Sequence, residues 1–147
     1  MQDRTIIAPN IWRKFLKPRW AKVFAIPEHK GIPVMFHSDG TILEIIPELI
    51  EIGVDILDPV QPKALDPKRV KDSFGEQLAL HGLIDIQEVL PFYSSTAVYE
   101  AVKKLIKETA PGGGVILSPT HTVLQEVPLD NHFSFLKSVK KWGRCKP

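Results

Sequence analysis

The side chains of this sequence best suited to chemistry recur in four short clusters of imidazole, carboxylate, amide and hydroxyl groups. They are His37-Ser38-Asp39-Gly40, then Asp58-Pro59-Val60-Gln61, then His81-Gly82 with Asp85 and Gln87 just after, then Ser118-Pro119-Thr120-His121. Imidazoles titrate near neutral pH, so a face that gathers them with carboxylates suits acid–base work or substrate capture. Local roles compete with that reading. Ser38 or Asp39 is a good helix cap, and capping does not require the histidine. His121 also reads as a satisfied structural histidine, and His81 reads more readily as structural than as working. Asp58 and Asp85 fit a cap as well as a substrate contact. His29 and His132 fall outside the pattern and read as surface residues.

The clusters gain meaning from what precedes them. Ile32-Pro33-Val34-Met35-Phe36, Val54-Asp55-Ile56-Leu57, Leu78-Ala79-Leu80-His81 and Val115-Ile116-Leu117 are apolar runs of strand length. Helical periodicity separates them. Ile42 to Ile52 places Leu43, Ile46, Leu49 and Ile50 on one face, with Pro47 demanding a kink or a restart in a first turn. The turn-rich Asp58-Pro59-Val60-Gln61-Pro62 leads to Asp66-Pro67, which opens a short helix through Phe74. Ser95 or Thr96 starts a helix striped by Val98, Val102, Leu105 and Ile106, and Pro111-Gly112-Gly113-Gly114 stops it. A last helix from about Leu129 to Trp142 shows Phe133, Leu136, Val139 and Trp142 as its apolar face. A helix from about Asn10 to Phe24 comes first, with Ile11, Trp12, Phe15, Leu16 and Val23 inward and Pro18 as a kink.

Strand and helix alternate four times, which predicts an α/β fold with a parallel sheet, because parallel strands need crossovers. The strands lack polar alternation, as expected when both faces are buried. Such units build an open doubly wound sheet or half of a barrel. In both, ligands bind beyond the carboxyl ends of the strands, where all the clusters fall. The opposite connections, Lys30-Gly31, Gly53, Gly75 and Gly112 to Gly114, are blander.

Composition narrows the remaining classes. The 147 residues suffice for a single domain, and 44% hydrophobic with 24% charged residues is ordinary for a globular protein. No apolar run is long enough to span a bilayer and the N-terminus does not read as a signal peptide, so the cytoplasm is the expected compartment. One cysteine, Cys145 in an expected frayed tail, cannot build a disulfide framework. Net charge is +2, with seven Lys/Arg against two acids over residues 1–30 and five against none over 137–147. These basic ends read as solvated helix faces; neither a nucleic acid nor a membrane is an expected partner. The triple glycine precedes a strand instead of following one, so it is not a phosphate loop. Ser94-Ser95-Thr96 reads as a helix cap.

The succession His37-Ser38-Asp39-Gly40, Gly53-Val54-Asp55, Gly82-Leu83-Ile84-Asp85-Ile86-Gln87, Ser118-Pro119-Thr120-His121 and Val127-Pro128-Leu129-Asp130-Asn131 resembles a known pattern. It is similar to the C-terminal half of uroporphyrinogen decarboxylases and of their relatives, the corrinoid-linked methyltransferases. Ile7-Ala8-Pro9 through Phe15-Leu16-Lys17-Pro18-Arg19 resembles the helix before that family's fifth strand. The resemblance implies the C-terminal half of a (β/α)8 TIM barrel, with residues 1–147 as one half-barrel domain. It also implies a chain that is incomplete alone, since the family's N-terminal arginines and first-strand aspartate have no counterpart.

The decarboxylase branch implies cofactor-free loss of carbon dioxide from tetrapyrrole acetate arms, as in porphyrin and heme biosynthesis. There His121 and Asp39 are the implied catalytic residues, and His37, Ser38, Asp58, Gln61, Asp85, Gln87 and Ser118 the implied substrate contacts. Thr120 and Thr122 flank His121 where that branch carries glycines, and Ile86 stands where it carries proline. The methyltransferase branch implies zinc and a corrinoid protein partner. His37, Asp39 and His121 fall at its metal positions, with both cysteines replaced. Two histidines and a carboxylate make a zinc set with an open position. A third reading is an inactive or regulatory half-barrel interaction module. Expected partners are a small molecule (a tetrapyrrole or a methyl donor) and either a second copy or a complementing half-barrel, because open sheet edges and an uncovered face need covering.

Overall fold

The computed structural model describes residues 5–144, so the expectation for Cys145 lies outside the described residues. The chain opens on a helical arm of three joined segments: α1 (Pro9–Ile11), a π-helical turn (Trp12–Leu16) and α2 (Lys17–Glu28). Pro18 explains the widened turn. It has no N–H and its ring crowds the preceding turn, and just before it the Lys17 N–H reaches back five residues to the Trp12 carbonyl. Widening rotates the apolar face. Trp12 and Phe24 are buried and Leu16 packs against the core, whereas Ile11, Phe15 and Val23, expected inward, are exposed. The Arg13 guanidinium meets Glu48 at 2.6 Å and the Lys17 ammonium meets Glu51 at 2.7 Å, so part of the basic N-terminal surplus is paired across to the next helix.

Four strands follow, β1 (Met35–His37), β2 (Ile56–Val60), β3 (Ala79–Ile84) and β4 (Val115–Pro119). They form one parallel sheet in the order β1-β2-β3-β4. Three of them run further toward their carboxyl ends than hydrophobicity predicts. β2 takes in Asp58-Pro59-Val60, expected as a turn; β3 continues through Gly82, expected to open a loop; β4 includes Ser118 and Pro119. Backbone groups pair with a neighbouring strand whatever the polarity of the side chain, so polar strand ends escape a hydrophobicity pattern.

The helices follow their local signals more closely. A 3-10 turn (Leu43–Ile45) leads into α3 (Ile46–Glu51), with Pro47 in its first turn as expected. Asp66 caps α4 (Pro67–Phe74) by accepting the Lys68 N–H at 3.0 Å, and Ser94 caps α6 (Ser95–Thr109) by accepting that of Ala97 at 3.3 Å. The short α5 (Val89–Phe92) lies between β3 and α6, and α7 (Leu129–Trp142) packs along α6.

One helix face differs from expectation. Asn131, Phe135 and Ser138 are buried in α7 and Val139 and Trp142 pack beside them, while Phe133 and Leu136 are exposed. Polar anchors select that face. The Asn131 amide donates to the carbonyls of Leu90 and Tyr93, both at 2.8 Å. The Ser138 hydroxyl donates to the Tyr99 carbonyl at 2.9 Å, and the Trp142 ring N–H to the Tyr99 hydroxyl at 3.0 Å.

The sheet therefore has two unlike faces. Leu57 and Leu80 are fully buried in a core with Ile46, Leu49 and Val70 from the helices. Phe36 packs on Trp20 and Phe24 of α2 with ring centroids 5.8 and 6.1 Å apart. Side chains alternate along a strand, so Met35, His37, Asp58, His81, Ile116 and Ser118 point the other way. On that side Met35 is 47% and Ile116 45% exposed.

Candidate active site

The open face carries one polar residue near the end of each strand, and these residues are linked. Pairing places His37 of β1 opposite Asp58 of β2. The Asp58 carboxylate is shared: Oδ2 lies 2.8 Å from His37 Nδ1 and Oδ1 lies 2.6 Å from His81 Nδ1. A carboxylate only accepts, so each of those ring nitrogens carries its hydrogen. Beyond them, His37 Nε2 lies 3.3 Å from Asp39 Oδ2, and His81 Nε2 lies 3.3 Å from Ser118 Oγ. The Ser38 backbone N–H donates to the Asp58 carbonyl at 2.7 Å and holds the β1 and β2 ends together.

Charge in this chain is unevenly held. The hydrogen bond to Asp58 raises the His37 pKa above its ordinary 6.5; partial burial opposes the rise, and Asp39 adds to it. Burial pushes Asp58 upward, but hydrogen bonds from His37 and His81 outweigh it and hold the carboxyl below the usual carboxylate value. At neutral pH, Asp58 is thus an anion backing an imidazole that binds its second proton more tightly than usual.

Backbone geometry makes this convergence possible. Gly82, directly after His81, has φ +88°, and a Cβ there would meet the Pro59 Cβ at 3.0 Å and the Thr120 Cα at 3.6 Å. Only glycine lets β2 and the β4 end come so close to β3. Leu83 follows with φ +77° while fully packed, a left-handed conformation that costs a non-glycine residue about 1–3 kcal/mol. Strain of this kind persists where the surroundings over-determine it.

The remaining candidates separate. The Asp85 carboxylate accepts the N–H groups of Gln87 at 2.6 Å and Glu88 at 3.3 Å, so it closes the turn into α5. Gln87 is half-buried in that turn. Gln61 is buried, and its Oε1 has no partner in the protein. Ser38 lines an apolar pocket of about 230 Å³ with Trp12, Trp20, Phe36 and Gly40. His121 is exposed beyond β4. Among the described residues no three His, Cys, Asp or Glu side chains converge as a metal-holding group. His37 and Asp39 are adjacent, but His121 does not join them, so the donor set does not fit a preassembled zinc centre.

Sequence reasoning set His81 in a strand-end cluster but favoured a structural role for it. The available signal was its position at an apolar strand end, one residue before a glycine, but its partner Asp58 lies in another unit. His132 also differs from expectation: it is half-buried between Phe133 and Phe135, and its Nδ1 is buried without a partner.

Comparison with known proteins places this geometry. The family described as Uroporphyrinogen decarboxylase (URO-D) matches residues 3–142. The chain belongs to the uroporphyrinogen decarboxylase family. A search of curated proteins returns no match. A solved methyltransferase from Methanosarcina mazei shares the fold with a TM-score of 0.73 at 20% identity. That likeness covers 94% of this chain and 39% of the methyltransferase, so the chain spans well under half of that structure's length. The architecture is α/β, a four-unit part of a (β/α)8 barrel preceded by a helical arm. In this uroporphyrinogen decarboxylase family member the polar row lies where a barrel presents its ligand site, at the carboxyl ends of the strands. Among the described residues no helix is long and apolar enough to cross a membrane.

Proposed function

We propose that this chain carries the proton-donating face of a cofactor-free decarboxylase acting on the acetate arms of a tetrapyrrole. The observation behind the proposal is the Asp58 carboxylate shared between His37 and His81. Decarboxylation of a pyrrole acetate begins with a proton added to an electron-rich ring. Carbon dioxide then leaves, and its bonding electrons neutralise the protonated ring. His37, half-exposed and backed by Asp58 and Asp39, is equipped to give that proton. His121 and Gln61 serve as contacts for polar arms.

The site works inside a completed barrel, and we assign the missing cover to a complementing unit of four further βα elements. The outer edges of β1 and β4 pair with no described strand, and Phe133 and Leu136 of α7 are exposed. A second copy fits poorly. Closing a barrel with it would bring the basic N-terminal segment of one copy toward the basic C-terminal helix of the other. The test supplies that half in trans and measures carbon dioxide released from uroporphyrinogen. Release should fall at least about 100-fold in His37→Gln.

A second reading, zinc-dependent methyl transfer with a corrinoid protein, draws on the methyltransferase neighbour and the 3.3 Å spacing of His37 and Asp39. Stoichiometric zinc that is lost in Asp39→Ala, with no carbon dioxide release, would replace the first reading by this one.

A further inference from the structure

The Ser118 hydroxyl has one proton and two acceptors within reach: the Pro119 carbonyl at 3.1 Å and His81 Nε2 at 3.3 Å. Asp58 decides whether the second is open. Because Asp58 Oδ1 takes the Nδ1 hydrogen of His81 at 2.6 Å, the neutral imidazole is held as the Nδ1–H tautomer. Its Nε2 lone pair then faces Ser118. Carboxylate, imidazole and hydroxyl come from β2, β3 and β4, and the close approach at Gly82 sets their spacing. His81 and Asp58 keep 26% and 20% of their side-chain surface exposed, so a small molecule has access.

We infer that Asp58, His81 and Ser118 form a nucleophile relay in which Ser118 Oγ attacks activated acyl or phosphoryl compounds while His81 accepts its proton. A base oriented by a carboxylate and hydrogen-bonded to a hydroxyl is the arrangement that activates serine on unrelated folds. With an ester, a bond forms from Oγ to the carbonyl carbon and the bond to the leaving alcohol breaks. The proton passes from Ser118 to His81 and then to the leaving oxygen. Water, deprotonated by the same imidazole, releases the acid and restores the hydroxyl. This activity shares the Asp58 carboxylate with proton donation by His37 but is read by labelling at Ser118 instead of carbon dioxide release, so either can fail alone.

The experiment treats the full chain with a fluorophosphonate probe and locates the adduct by mass spectrometry. In this reaction Oγ bonds to phosphorus, fluoride leaves, and His81 takes the proton. One adduct at Ser118 is expected, absent in Ser118→Ala and formed at least about 100-fold more slowly in His81→Gln. Ser94→Ala, which alters only the α6 cap, should label at the parent rate. Nitrogen-15 NMR of the parent before labelling should show that the neutral form of His81 carries its hydrogen on Nδ1. No adduct, an adduct elsewhere, unchanged labelling of His81→Gln, or a neutral His81 that holds its hydrogen on Nε2 each overturns the relay. The parent's labelling and spectrum decide the matter even if His81→Gln does not fold.

Discussion

The helix-covered face of the sheet and its open face are built from alternate residues of the same strands, yet they obey different rules. On the covered face Leu57 and Leu80 retain no exposed surface and pack in one apolar cluster with Ile46, Leu49 and Val70. On the open face, one residue away along the same strands, a carboxylate and two imidazoles share hydrogens while Met35 and Ile116 stand half-bare. The covered face holds the units together by burial. The open face contributes little to that, and its polar residues spend their hydrogen bonds on one another.

The largest expected effects contrast those faces directly. Leu80→Ala leaves a cavity in a fully packed layer and should cost about 2–5 kcal/mol in urea denaturation. Ile116→Ala on β4 removes a side chain that is already 45% exposed and should cost well under half of that. Comparable losses would mean that the open face is covered in solution. Gly82→Ala, at the point where the two faces constrain each other, should cost about 1–3 kcal/mol through its left-handed backbone and its contact with Pro59.

The smallest effect is electrostatic and belongs to the open face alone. The raised pKa of His37 stabilises the fold fully below the ordinary 6.5, and the contribution is lost as pH rises through the raised value. The lowered pKa of Asp58 contributes above the ordinary 3.8 and is lost as pH falls through the lowered value. Between those limits Asp58 is charged against its two imidazoles, with Asp39 beyond His37. Asp58→Asn should therefore bring the His37 titration, followed by NMR, back toward 6.5. A His37 pKa unmoved by that change would break the link between β1 and β2 on which the site depends.

Much of the fold is legible in local sequence signals. Asp66-Pro67 and Ser94 announce helix starts by local capping, and Val98, Val102 and Ile106 recur at helical spacing and are buried as that spacing predicts. The inward faces of the first and last helices were not legible. The widened turn before Pro18 moves Ile11 and Phe15 outward, and the Asn131 and Ser138 anchors turn Phe133 and Leu136 away from α6. Hydrophobic periodicity assumes a regular helix with one neighbour, and neither segment has that.

For the candidate site, sequence alone placed polar residues at four strand ends on one side of the sheet, since parallel units all point their carboxyl ends one way. It also singled out His37, Asp39, Asp58 and Ser118 as residue types with protons or lone pairs to trade. Only the tertiary structure decided who trades with whom. The β1–β2 register put His37 on Asp58, the longer β3 and the glycine at 82 brought His81 to the same carboxylate, and His121 stayed apart. Those choices rest on strand register and backbone approach, which are set between segments distant in sequence and leave no mark in local composition.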